Sequence, residues 1–174
     1  MKHLIYLILS ILILSVPVFA ENLDQQKLSN IKRALSVTRH QEDLNELKTE
    51  LESYASDPSP YLIAVIQEPG TRVYIRTRAL NLLQFYSSES NAQFLESKIS
   101  ANDEHDSVRK FAIRSYAISQ RGQSSKVESF LGKFKTDSHL GGFVQRTLKE
   151  YNTNGQLERK HSPNREFDRS HLKK

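Results

Sequence analysis

The sequence predicts an all-α protein: a short α-solenoid of stacked antiparallel helix pairs, with an extra N-terminal helix and a disordered C-terminal tail. Three observations lead there. The 154 residues after position 20 hold only six Gly and four Pro, and no alternating run of β-branched residues long enough for a sheet. Apolar residues step by three or four along most of the chain, the spacing that lines one face of a helix. A helix-turn-helix pattern then recurs at 32 to 35 residues, the signature of a stacked array.

The elements follow in order. Leu28, Ile31 and Leu35 mark one amphipathic stripe, and Leu44, Leu47, Leu51 and Tyr54 a second, with Thr38 and Gln41 spaced as a capping box between them. In Asp57-Pro58-Ser59-Pro60, Asp57 is placed as an N-cap and Pro58 falls in the first turn, where its missing N–H has no cost. Leu62, Val65 and Ile66 form the core face of that short helix, which Pro69-Gly70 closes. Ile75, Ala79, Leu82 and Leu83 define a helix over 71–86, and Ser90 with Gln93 caps the next, which carries Ala92, Leu95 and Ile99 inward. Asp106 opens a helix through DSVRKFAIRSYAIS. Ser125 with Glu128 then caps one whose apolar face is Val127, Phe130 and Phe134. Asp137 or Ser138 starts the last helix, with Phe143, Val144, Leu148 and Tyr151 spaced for burial.

The two ends read differently from this body. Residues 1–20 have a Lys2/His3 basic start, an apolar stretch from Leu4 to Val16, then Pro17, with small Val18 and Ala20 before Glu21. This is the three-part pattern of a secretory signal peptide cleaved before Glu21, and the apolar stretch is shorter than the ~20 residues that span a bilayer. The expected compartment is therefore periplasmic or extracellular, and the absence of cysteines and of Asn-x-Ser/Thr sequons leans toward a bacterial envelope. Residues 152–174 have almost no apolar periodicity and are expected to be disordered. The net charge of +5 is misleading, because residues 21–151 hold 18 basic and 17 acidic residues, while 152–174 hold six and three.

The repeat can be set out residue by residue. Ile75, Arg76, Ala79, Leu80 and Leu83 fall on Val108, Arg109, Ala112, Ile113 and Tyr116 at a constant offset of 33. Ala92, Leu95 and Ile99 fall on Val127, Phe130 and Phe134 at 35. An acidic residue, a Val-Arg pair and an Ala-rich first helix, as in Asp106-Ser107-Val108-Arg109 with Ala112, resemble the HEAT-repeat family in its short bacterial form. The resemblance covers about residues 43–151, with Ile75-Arg76 and Ala79 a looser match. An irregular helical bundle is the alternative architecture. The resemblance implies that Arg76, Arg109 and Asp106 belong to a structural ladder, each Arg bonding loop carbonyls or an acidic residue of a neighbouring unit. It also implies that the second helix of each pair lines a concave partner-binding face. The candidate contacts there are Gln67, Gln93, Glu96, Lys98, Lys126, Lys133 and Lys135.

Chemistry is harder to find. His40, His105, His139 and His161 lie tens of residues apart, and none pairs at the spacing of a metalloprotease helix. His105 among Asp103, Glu104 and Asp106 reads as a capping loop at a helix N-terminus. There is no nucleophile elbow and no phosphate loop around Gly141-Gly142, so no catalytic residue, cofactor or metal is assigned. A basic ridge near the first helices, from Arg72, Arg78, Lys110, Arg114 and Arg146 with Tyr74 and Tyr116 nearby, could grip a phosphate or carboxylate. The expected function is a non-enzymatic exported scaffold or adaptor for a protein partner. Its basic tail would touch an acidic partner or membrane surface, and no nucleic acid is expected. The alternatives are a small-ligand or lyase-type HEAT-like protein and an inhibitor of one envelope enzyme.

Overall fold

The computed structural model describes residues 23–37 and 43–154. The apolar leader, the Thr38 and Gln41 pair and the segment beyond residue 154 lie outside the described residues. Within them are eight helices and no strand: α1 (Gln25–Ser36), α2 (Leu44–Tyr54), α3 (Ser59–Gln67), α4 (Val73–Leu83), α5 (Glu89–Ser100), α6 (Asp106–Ser119), α7 (Ser124–Gly132) and α8 (Gly141–Asn154). Among the described residues no helix is long and apolar enough to cross a membrane.

Short polar side chains satisfy the N–H groups that a helix start leaves unpaired. Asp24 accepts from Gln26 N and Lys27 N at the head of α1, Asp43 from Asn45 N at α2, and Asp57 from Ser59 N at α3. Several starts differ from the sequence expectation: Pro58 rather than Asp57 is the N-cap of α3, α4 begins at Val73 rather than 71, and α8 begins at Gly141 rather than at Asp137 or Ser138. Ser88, not Ser90, caps α5 by accepting from Asn91 N at 3.1 Å, because the buried Asn91 side chain donates to Tyr86 O and draws the helix start toward the turn. At α7 Ser125 is already helical and no side chain caps the start. There the turn is closed by backbone bonds from Gln123 N to Gln120 O and from Val127 N to Gln123 O, with Gly122 supplying a φ of +80°. Asp137 accepts from His139 N and Leu140 N, one turn ahead of α8, and that helix runs three residues past the expected limit of Tyr151.

The apolar faces meet as a short helical stack. The closest packing joins α4 to α6, α5 to α6 and α3 to α4, with α6 to α8 and α7 to α8 continuing the array. Helices α4, α6 and α8 thus form one closely spaced row, made possible by Ala79, Ala112 and Ala117, all fully buried. Helices α3, α5 and α7 form the other row. They approach one another less closely, and the half-buried rings of Phe94, Phe130 and Phe134 project from α5, α7 and the turn beyond α7. The tightest contact of each second helix is with the first helix of the following unit, so the packing unit is offset by one helix from the pairs read in the sequence.

The first unit is closed by α1, which lies against α2, α3 and α4 and buries Ile31, Ala34 and Leu35. Arg78 of α4 donates to the carbonyls of Leu35 and Val37 at its C-terminal end, and Lys32 pairs with Glu68 at 2.6 Å. Cations at the carbonyl end of a helix match its dipole.

At the other end the chain turns so tightly that a Cβ on Gly141 would lie 2.5 Å from Lys135 O, whereas one on Gly142 would meet nothing within 4 Å. Gly141→Ala is therefore expected to destabilise the protein by about 1–3 kcal/mol. Gly142→Ala should be neutral or stabilising by up to about 1 kcal/mol. Thermal melts of the two variants check this, and equal effects would contradict the close approach.

Candidate functional site

The most regular side-chain arrangement runs along the loop edge of the stack. Arg76 Nε donates to Ile66 O at 3.0 Å, and Arg109 Nε donates to Ile99 O at 2.9 Å. The other side of each guanidinium meets a carboxylate of the next loop: Arg76 pairs with Glu104, and Arg109 Nη2 lies 3.5 Å from Asp137 Oδ2. Donors, carbonyls and carboxylates are each separated by 33 residues, so the carbonyl bond and the ion pairing recur in successive units, although only Arg76 also hydrogen-bonds its carboxylate, Arg109 Nη2 standing off from Asp137 as an ion pair. Each arginine joins the end of the helix before it to the corresponding loop one unit further on, a geometry that suits a planar fork of donors.

Asp106 occupies a different place from the other ladder candidates. Its carboxylate lies 3.1 Å from His139 Nδ1, and the acidic rungs are Glu104 and Asp137. The signal for those rungs was present in the sequence as a second pair of acids 33 apart, one residue type apart and therefore easy to pass over. His105 Nδ1 accepts from Ser107 N at 3.1 Å as the cap of α6. Among the described residues no group of three or more His, Cys, Asp or Glu is placed to hold a metal ion.

The seven candidate contacts divide on geometry. Glu96 is half-buried and accepts the Tyr116 hydroxyl at 2.7 Å; Lys98 lies 3.6 Å from Glu104 and 5.7 Å from the Phe94 ring centre. Lys126 pairs with Glu89 at 2.9 Å, Gln93 adds a hydrogen bond to the same carboxylate, and Lys133 sits 5.5 Å from the Phe130 ring centre. Gln67, Gln93, Lys133 and Lys135 are exposed. The structure thus ties Glu96, Lys98 and Lys126 into inter-helix contacts and leaves the other four outward. Tyr116, placed beside the basic ridge in the sequence reading, is fully buried, with its ring 5.2 Å from that of Phe130, and so leaves the ridge. Burial, followed by the bond to Glu96 and its charge, raises the Tyr116 hydroxyl; burial and Glu52 do the same to Tyr86.

Charge divides between the two rows. Helix α4 contributes Arg76 and Arg78, α6 contributes Arg109, Lys110 and Arg114, and α8 contributes Arg146 and Lys149, against Asp106 and Glu150 alone, a net of +5. Helix α3 has no charged residue, and α5 and α7 carry Glu89, Glu96 and Glu128 against Lys98 and Lys126, a net of −1.

No family model, no curated protein and no solved structure matches this chain.

The ladder makes stability depend on acid. Burial acts to raise the Glu104 carboxyl, but the bonds from Arg76 and His105 N and the charges of Arg76 and Lys98 outweigh it and hold it below 4.5. The N–H groups of Leu140 and His139, with the Arg109 charge, hold Asp137 below 3.8 against a weaker effect of burial. Carboxyls lowered on folding contribute stability that is complete above their unfolded values and is lost as pH falls through the lower folded ones. Glu104→Gln is therefore expected to lower the melting temperature at about pH 7 and to flatten the acid-side decline measured down to about pH 2. Arg109→Ala should cost about 2–4 kcal/mol in chemical denaturation. Arg109→Lys should restore less than half of that, because one ammonium cannot serve both Ile99 O and Asp137; full rescue would contradict the forked role.

Proposed function

We propose that this chain is an exported, non-enzymatic member of the HEAT-like group that holds a protein partner on the surface of its helix stack. The observation that carries the reading is the 33-residue recurrence of the arginine-to-carbonyl bond with a carboxylate paired to each arginine. Repeated units locked to their neighbours form a stiff, extended surface, and such arrays serve as platforms for other macromolecules. The Val-Arg and Ala spacing of the repeat supports the family resemblance, and the leader supports export. Gln67, Gln93, Lys133 and Lys135 are the outward positions of the second-helix row proposed to meet the partner, and the basic segment 152–174 is proposed as a salt-sensitive secondary contact.

Crosslinking intact cells that express the full chain with a C-terminal tag, followed by mass spectrometry and N-terminal sequencing, tests each part. The expected result is one recurrent, near-stoichiometric protein partner and a mature start at Glu21. Loss of that partner in Gln67→Arg/Lys135→Glu, with an unchanged melt, would place it on the second-helix row. A retained Met1 would overturn export, and a preparation with no enriched protein would overturn the scaffold reading.

A further inference from the structure

The start of α6 is built unlike the other helix starts. His105 is its N-cap, and the ring Nδ1 of His105 accepts from Ser107 N at 3.1 Å. The other side-chain caps described above, from Asp24, Asp43, Asp57, Ser88 and Asp137, use a carboxylate or a hydroxyl. Such oxygens remain acceptors between about pH 5 and about pH 8, the span in which an ordinary imidazole takes up its proton. A ring nitrogen that accepts an N–H holds no proton. Protonation of His105 therefore ends the cap and sets a cation at the positive end of the helix. A second histidine meets the same helix start in the opposite sense. His139 Nδ1 lies 3.1 Å from Oδ2 of Asp106, the first residue of α6. Facing a carboxylate, that nitrogen is the donor, and a proton on the other ring nitrogen strengthens the contact by adding charge. Both rings are exposed.

We propose that the start of α6 is an acid-responsive joint: uptake of protons exchanges the His105 cap on Ser107 for a tighter contact between His139 and Asp106, and loosens the loop that holds Glu104 against Arg76. The joint depends neither on a partner nor on export. The other charged groups around the two rings are engaged elsewhere. Glu104 Oε1 accepts from His105 N at 2.9 Å, while its Oε2 meets Arg76 of α4 and lies 3.6 Å from Lys98 of α5. Asp137 accepts from His139 N and faces Arg109 of α6. Asp103 is exposed in the loop of His105, Lys110 stands one turn beyond Asp106 on α6, and the first turn of α8 has no charged residue. Losing the cap frees one of the ties on the loop before α6, and the charged His139 adds one to the loop before α8. The hold on the helix start thus passes from its own loop to the next unit. Glu104 and Asp137 take up protons only at lower pH, so the joint is separable from the acid-side decline of the ladder.

The test follows the isotope-labelled full-length chain by NMR as the pH falls from about 8 to about 5. The Ser107 amide resonance should move along the same titration curve as the His105 ring. Its exchange with solvent, corrected for the intrinsic rate, should rise about fivefold, as for the loss of one cap, and the His105 amide bonded to Glu104 should follow. The Asn45 amide, capped by the Asp43 carboxylate at 2.8 Å, is the control and should stay constant. In His105→Asn, which keeps an acceptor that takes up no proton, the Ser107 amide should be constant too, with a thermal melt showing that the variant is folded. The amides of His139 and Leu140 should exchange about twofold more slowly over the same span, the gain of one exposed ion pair, and should lose that response in Asp106→Asn. A Ser107 amide that stays constant in the unaltered chain, or still moves in His105→Asn, would overturn the proposal. So would a slowing at His139 and Leu140 that is absent, or that survives in Asp106→Asn.

Discussion

A guanidinium set between the carbonyl end of one helix and the carboxylate of the next loop is the constraint on which the stack depends. The last carbonyls of a helix have no partner within it, and burying them against a neighbouring unit is unfavourable unless a donor follows them in. Arg109 supplies that donor from a position that is 4% exposed, and its charge is then balanced by Asp137. Neither half is stable alone: an arginine without the carboxylate would be a buried charge, and the carbonyl without the arginine a buried acceptor. Because Arg76, Ile66 and Glu104 repeat the arrangement one unit earlier, the loops are held at a common height and the helices between them in register.

Hydrophobic packing supplies the stabilising bulk, and the ladder directs it. Each helix pair has an apolar face that only its neighbour can cover, so the stack behaves as a chain of nearest-neighbour contacts with special arrangements at its ends. At the first end the cover is α1, whose Ile31 and Leu35 enter the core and whose terminal carbonyls are met by Arg78. At the other end α8 packs on α6 and α7 through Phe143, Val144 and Leu148, while Tyr151 reaches Gln120 O at 3.4 Å. Buried Ala79, Ala112 and Ala117 belong to the row of α4, α6 and α8, which packs more closely than α3, α5 and α7 do with one another.

The difference in charge between the two rows follows from where the acids sit. A folded region with a net charge near neutral can still present one strongly basic face, provided the opposite charges are used in loops and in the first unit. Here the acids are placed in the ladder, in caps and on α2, whose Glu52 pairs with Lys48 and takes the Tyr86 hydroxyl.

The sequence by itself determined the helical class, the order of the elements and most of the core. Periodicity of three and four, few Gly and Pro, and Asp at several helix starts are local properties, and local properties decide helix against strand. It also determined that Arg76 and Arg109 occupy equivalent places. It did not reveal that Glu104 and Asp137 are their acidic partners while Asp106 turns to His139, because ion pairing is settled by which loop lies beside which helix. Nor could it separate Lys98 and Glu96, drawn into contacts with Glu104 and Tyr116, from Gln67 and Lys135 on the same row, which face outward. Glu96 and Lys98 lie on α5, Gln67 at the end of α3 and Lys135 in the turn beyond α7, yet all four read alike as polar positions between apolar ones, and only the packing of neighbouring units decides which of them stay in water.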